Sequence, residues 1–238
     1  MIRAVICDIY GTLLEVGPPP PDAEARWTTL WQSAVTTPDP PPTLAGLDEA
    51  VRRLIPHHHA RGRARGLIQP EVDWPALAVE AFPSLRPLAA PERHRFFCEH
   101  ARLRRTTRLA DGAAACLRSW HTAGLVLGIA SNAQACTRQE LAEALAAHAL
   151  DPGLFDAEAC FFSYAHGVAK PDPRVFQWLT DRLAARGLPP ADILMVGDRL
   201  DTDVAPATAA GWHAWHLGPG PGAPAGDWEA LRRWTRTP

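Results

Sequence analysis

An apolar, β-branched run at residues 3–8, bounded by Gly11, is followed by no second strand signal between residues 22 and 105. A lone strand leaves both of its edges unpaired, so this one must join a sheet built much later in the chain. That later part is rich in strand signals. A helix near 112–122 ends at Gly124, and 125–130 reads as a buried strand. A helix over 134–148, a strand near 159–163, and a helix over 173–186 ending at Gly187 follow. Next come a strand at 193–197, a short helix at 203–210 ending at Gly211, and a last strand at 212–217. Alternating strands and helices imply right-handed crossovers and a mainly parallel sheet. The chain therefore reads as an α/β core, residues 1–15 and 111–238, interrupted by an all-helical insertion, residues 16–110.

The insertion shows four helical patterns. Asp22 stands as a cap before Trp27, Leu30 and Trp31; a second stripe is Leu47, Val51, Leu54 and Ile55; Asp73 precedes a third helix; Pro91 opens a fourth through Phe96, Phe97 and Leu103. The proline clusters at Pro18–Pro21 and at Pro38 and Pro40–Pro42 read as linkers, as does 218–226, and 228–234 reads as a terminal docking helix.

With 47% apolar residues in 238 and a net charge of −2, the chain can bury a core and has no electrostatic footprint for nucleic acid or a membrane surface. No run is long and apolar enough for a membrane span, and the early charges of Arg3 and Asp8 interrupt any signal-peptide apolar region. Five scattered cysteines without a C-x-x-C read as reduced thiols of a cytoplasmic protein. The insertion carries 13 arginines and 10 acids, the remainder 10 arginines, one lysine and 16 acids. The plain reading of that split is solvated faces; the sharper one is a positive insertion attracting an anionic substrate.

In open α/β sheets, ligands bind beyond the carboxyl ends of the strands. The first strand ends in Asp8-Ile9-Tyr10-Gly11-Thr12, and the second in Ser131-Asn132. A loop after the third leads to Lys170-Pro171-Asp172-Pro173, and the fourth ends in Gly197-Asp198, with Asp203 five residues on. Lys170 is the only lysine beside 23 arginines. Each piece alone is an ordinary cap or turn; in order, at four strand ends, they form a chemical set. A carboxylate such as Asp8 can attack phosphorus, provided a cation relieves the repulsion between two anions. Magnesium suits one or two carboxylates plus a substrate phosphate, which makes Asp8 and Asp198 the candidate ligands, with Asp203 behind them. Ser131 and Asn132 can hold phosphoryl oxygens, and Lys170 can neutralise the nucleophile and the transferring group.

This set resembles the haloacid dehalogenase-like hydrolase superfamily: D-x-x-G-T after the first strand, Ser after the second, Lys before a proline-initiated helix, and G-D-x-x-x-x-D after the fourth. The resemblance implies a Rossmann-like core with a helical cap between the first and second motifs. It implies Asp8 as nucleophile, Thr12, Ser131, Asn132 and Lys170 around the substrate phosphate, and Mg2+ held by Asp8, Asp198 and the Tyr10 carbonyl, with Asp203 as second acid. The substrate class it implies is a small phosphate ester. Family phosphatases have an acid/base Asp where this chain has Tyr10. A phenol, with a pKa near 10, is a poor base at neutrality. Tyr at that place is similar to the metal-independent 2-haloacid dehalogenases, D-x-Y-G-T, which lack the acidic fourth motif that this chain keeps. The reading is thus a phosphatase-like enzyme, with dehalogenation and turnover-deficient phosphate binding as alternatives. Outside the set, His57-His58-His59 reads as exposed residues rather than a metal site, Arg61-Gly62-Arg63-Ala64-Arg65-Gly66 as a basic turn, and one of Arg102, Arg104, Arg105 and Arg108 as within reach of substrate.

Overall fold

The computed structural model describes residues 1–36, 40–219 and 224–235. Pro38 and the middle of the proline-glycine stretch after Gly218 lie outside these described residues.

Six strands form one parallel sheet. They are β1 (Ala4–Cys7), β4 (Val126–Ser131), β5 (Cys160–Phe162), β6 (Ile193–Gly197), β7 (His213–Leu217) and β8 (Ala225–Gly226), in the spatial order β5-β4-β1-β6-β7-β8. The first strand thus lies in the middle, paired with β4 on one side and β6 on the other. Its four residues are fully buried and alternate between two cores. Val5 and Cys7 face a cluster with Cys116, Leu117, Leu141 and Leu145; Ala4 and Ile6 face one with Phe176, Leu179 and Leu183. Period-two side chains buried on both faces require helices on both faces. These are α5 (Ala113–Thr122), α6 (Thr137–Ala146) and α10 (Trp228–Trp234) on the first, and α8 (Pro173–Ala184) and α9 (Ala205–Ala209) on the second, with the one-turn α7 (Ser163–His166) directly after β5. Chain order proceeds outward from β1 to β4 and β5, then returns to β6, so the topological switch falls beside β1.

The insertion contains α1 (Ala23–Ala34), α2 (Leu44–Ala64), α3 (Trp74–Ala81) and α4 (Ala90–Arg104). Trp27, Trp31, Leu47, Val51, Leu77 and Phe96 make a third apolar cluster, separate from the two on the sheet. Asp73 caps α3 by accepting from the Ala76 amide at 3.0 Å, whereas the Asp22 side chain makes no capping bond to α1. Two local expectations are corrected, and one pairing is new. The basic turn is largely helix: α2 runs through Pro56 and the three histidines to Ala64. Residues 225–226 are a short strand rather than linker. The joints on either side of the insertion pair with each other, β2 (Leu14–Gly17) against β3 (Thr106–Leu109), antiparallel. Short strands of mixed polarity carry little period-two signal, and only their meeting in space makes them a ribbon.

A loop after α2 also docks on the sheet side. The Ala169 amide donates to the Gln69 carbonyl at 2.9 Å, the Glu71 amide to the Gly167 carbonyl at 3.0 Å, and the Ile68 amide to buried Asp172 at 2.9 Å. Among the described residues no helix is long and apolar enough to cross a membrane.

Candidate active site

Asp8 leaves the end of β1 directly after the buried run, with its amide donating to the Val196 carbonyl of β6 at 2.9 Å. Its carboxylate faces Lys170, whose Nζ lies 2.9 Å from Asp8 Oδ1 and 2.5 Å from Asp203 Oδ1. Lys170 and Asp203 are both buried. Burial works against the ammonium charge, but the two carboxylates outweigh it and hold the lysine above its ordinary value. Asp203 comes from the one-turn π-helix Leu200–Val204, and its second oxygen accepts from the Arg199 amide at 3.1 Å. Both Asp203 oxygens are therefore engaged by the protein, and Asp203 works as the counter-ion that fixes Lys170.

Asp198 is half-buried beyond β6. Its Oδ1 accepts from the Thr12 hydroxyl at 3.2 Å, and burial and the charge of Asp8 raise its pKa. The pocket for Asp198 exists because residue 11 is glycine: at φ +80° a Cβ there would lie 2.4 Å from Asp198 Oδ2. Gly197 does the same for Asp203, whose carboxylate would lie 2.3 Å from a Cβ. One carboxylate oxygen from each of Asp8, Asp198 and Asp203 lies within 4.8 Å of the others. Three acids around one ammonium leave negative charge uncompensated, and Asp8 and Asp198 are the two with oxygen to spare. That donor set fits a hard divalent cation.

Ser131 ends β4 fully buried, and its Oγ has no hydrogen-bond partner. A buried hydroxyl without a partner is costly unless a ligand supplies one. Asn132 behaves differently from expectation. Its Nδ2 donates to the Lys170 carbonyl at 2.8 Å and its Oδ1 accepts from the Lys170 amide at 2.7 Å, so its side chain clamps the lysine's backbone. The Asn132 backbone amide and the second Nδ2–H are left for a ligand. Asn132→Ala should therefore loosen the Lys170 loop, at a cost of about 1–3 kcal/mol of stability for the two lost bonds. Equal denaturation midpoints for variant and wild type would refute the clamp.

Tyr10 points its hydroxyl into a network that the sequence does not announce. The hydroxyl donates to Glu140 at 2.5 Å, lies 2.8 Å from Thr137 Oγ1, and accepts from Arg105 at 2.6 Å; the Arg105 guanidinium also covers its ring. Burial is the main cause that raises the Tyr10 pKa, with Glu140 adding to it and Arg105 opposing. The phenol therefore stays protonated at every working pH. Of the arginines at the insertion's end, Arg105 joins this network and Arg104 lines the cavity beside it. Glu140 had a faint signal: it is an acid on the buried face of α6, beside Leu141 and Ala144.

Next to Tyr10 and Asn132 opens a cavity of about 300 Å³ between α3, α4 and the loop after β4, walled by Trp74, Phe97, His100 and Arg105. Glu71 borders it, held by Ser163 at 2.5 Å, and Gln134 reaches the Val72 carbonyl at 3.0 Å. Burial and the nearby Arg104 and Arg105 pull His100 down to about 3, so its ring is neutral. The three adjacent histidines lie well away on α2, where His58 meets Glu80 at 3.1 Å.

A model of the haloacid dehalogenase-like hydrolases matches residues 2–211. The chain belongs to this family. Among solved structures, this haloacid dehalogenase-like hydrolase is similar to a 2-haloacid dehalogenase from Pseudomonas syringae pv. Tomato (20% identity, 98% and 100% of the two chains, TM-score 0.60). It is similar in the same degree to an L-2-haloacid dehalogenase (22%, 99% and 99%, 0.58). A HAD phosphatase from Thermococcus onnurineus is equally near (20%, 99% and 98%, 0.58). A search of curated proteins finds no significant match. The fold is thus shared by enzymes of both chemistries.

Proposed function

We propose that this hydrolase is a magnesium-dependent phosphatase of small phosphomonoesters that works through Asp8. The observation that carries the reading is the uncompensated pair Asp8–Asp198 at neighbouring strand ends, with Lys170 already committed between Asp8 and Asp203. A haloacid substrate brings a carboxylate of its own, and Asp198 would repel it. A phosphate ester arriving with a cation turns the same carboxylate into a ligand. Asp8, Asp198 and the Tyr10 carbonyl would hold the magnesium, which supplies charge neutralisation between nucleophile and phosphate.

The chain's own residues then do the following. The free Asp8 oxygen attacks phosphorus, the bond to the ester oxygen breaks, that oxygen takes a proton from solvent and leaves as the alcohol, and an aspartyl-phosphate remains. Lys170 offsets the charge on Asp8 and on the transferring group, while the unpartnered Ser131 hydroxyl donates to a phosphoryl oxygen. Water then attacks phosphorus, the acyl-phosphate bond breaks, and Asp8 is regenerated with release of inorganic phosphate. Residues 16–110 act as a cap whose cavity takes the leaving group and shields the reacting centre from bulk solvent.

The second reading is 2-haloacid dehalogenation, favoured by Tyr10 in D-x-Y-G-T and by the chemistry named for two of the similar structures. A panel of phosphate esters and 2-chloropropionate, each with and without magnesium, separates them. Phosphate release that requires magnesium is expected; chloride release without metal reverses the conclusion. In calorimetry, Asp198→Ala is expected to lose the magnesium binding that wild type shows, and equal binding in both would remove Asp198 from the ligand set.

A further inference from the structure

Two of the five cysteines meet where the insertion packs on the sheet-bearing part. Cys98 is buried on α4, and Cys136 is the residue that opens α6. They are far apart in sequence, on α4 before the β2–β3 ribbon closes and on α6 after it, yet their thiols come close enough to interact across one cavity. Both line a cavity of about 210 Å³ bordered by Pro75, Phe97, Gln134 and Tyr164. Cys136 also lines the larger cavity beside Tyr10 and Asn132. The other three cysteines differ: Cys7 and Cys116 are buried in the sheet's own core, and Cys160 lies on β5.

The two thiols have unequal chemistry. The neighbouring Cys98 thiol, then the Arg105 guanidinium, lower the Cys136 pKa against burial and the charge of Glu140, so Cys136, at the start of α6, is the sulfur that carries negative charge more readily. Cys98 is the buried partner, and the His94 ring, one turn earlier on α4, lies 3.5 Å from its sulfur. A nucleophilic sulfur beside a resolving thiol and a basic ring, opening on a cavity, is the arrangement that peroxide oxidation uses.

We infer that Cys98 and Cys136 form a reversible disulfide that ties α4 to α6 when the enzyme meets a hydroperoxide. The Cys136 thiolate attacks the distal peroxide oxygen, the O–O bond breaks, and one water (or alcohol) leaves as a sulfenic acid forms. The Cys98 sulfur, losing its proton to His94, then attacks the sulfenic sulfur. The S–O bond breaks, the departing hydroxide takes up the proton, and a second water leaves. Two thiols are oxidised and one peroxide is reduced. The bond would join the insertion to the sheet-bearing part at the rim of the substrate cavity and hinder their separation. That consequence for turnover rests on the hydrolase reading given above; the disulfide itself does not.

The experiment treats the full chain with a small excess of hydrogen peroxide. Expected are a mass about 2 Da lower, loss of two of the five thiols, and a non-reducing peptide map joining Cys98 to Cys136, all reversed by dithiothreitol. C98S should form no bond and leave Cys136 as a sulfenic acid that dimedone traps. Magnesium-dependent phosphate release should fall several-fold on oxidation of wild type, recover with dithiothreitol, and be insensitive in C98S at the same mild dose. Five thiols remaining free, or a map joining other cysteines, overturns the inference. A disulfide that leaves turnover unchanged retains the bond and overturns its role as a latch. A chain that forms the bond yet hydrolyses no phosphate ester overturns the functional reading alone.

Discussion

Lys170→Met is expected to lower turnover by about 10²- to 10³-fold, the effect of removing one preorganised charge at a reacting centre. It is also expected to destabilise the fold by about 3–5 kcal/mol, because breaking a buried pair leaves its partners uncompensated. In wild type, one ammonium lies 2.9 Å from Asp8 and 2.5 Å from Asp203, and among the described residues Lys170 is the side chain that forms an ion pair with each of them. Without it, two buried carboxylates face each other and a third, Asp198, faces Asp8. The steepness of the pH dependence then separates variant from wild type, in which burial already raises Asp198 and Asp203. The folded-state pKa of Lys170 is raised, so its contribution is fully present below the unfolded lysine value and is lost only as pH rises through the higher folded value. Between roughly pH 5 and pH 8 that contribution is constant. In the variant, the stranded acids have folded pKa values raised above their unfolded ones, so stability is greatest at low pH and falls as pH rises through them. Urea denaturation of both proteins at the two pH values tests this. A variant equally stable at both, with turnover within about tenfold of wild type, would remove Lys170 from the centre of the site.

The residues behind this expectation were legible because each belongs to a local signal. Asp8, Ser131 and Asp198 follow directly on buried apolar strands, and a strand end is the place where an open parallel sheet presents chemistry. That the first strand joins the later sheet followed from its isolation in the sequence, since a strand without a local partner has to pair at a distance; its place between β4 and β6 did not. What stayed hidden depends on side-chain direction or on meetings in space. The spacing of Ser131 and Asn132 says that they are adjacent, not that the Asn132 amide turns away to hold Lys170. Asp203 and Asp198 look alike in a motif, yet one has both oxygens engaged and the other retains one. The β2–β3 ribbon joins residues about 90 positions apart, and neither strand carries periodicity of its own. Glu71 and Gln134 become neighbours only because the loop after α2 docks beside Val168.

Tyr10 is where the structure sharpens what the chemistry should look like. With p-nitrophenyl phosphate the leaving group scarcely needs a proton, so Asp8 should be phosphorylated readily. The second step needs water to attack the aspartyl-phosphate, and a base near it helps by about 10²- to 10⁴-fold. Tyr10 cannot be that base: its pKa is raised, and its hydroxyl is occupied by Glu140, Thr137 and Arg105. The expected result is a burst of about one p-nitrophenolate per enzyme followed by slow turnover that reflects the missing base, with phosphate retained on Asp8. Tyr10→Asp puts a carboxylate at the position where related phosphatases carry one and should raise the steady-state rate by about 10-fold or more. Its cost is a cavity where the ring packed against Arg105, so denaturation should be measured beside the kinetics. Tyr10→Phe is the informative control: it keeps the ring under Arg105 and the Arg105–Glu140 pair, removes only the hydroxyl, and should bring no gain in turnover. Stopped-flow release and intact mass read all three proteins. A burst in wild type with phosphate on Asp8, abolished as the slow phase accelerates in Tyr10→Asp, is the pattern of a phosphatase limited by dephosphorylation. The absence of burst, of mass increase and of any gain in Tyr10→Asp would instead direct the site's Asp8 toward carbon, and 2-haloacids would become the substrates to pursue.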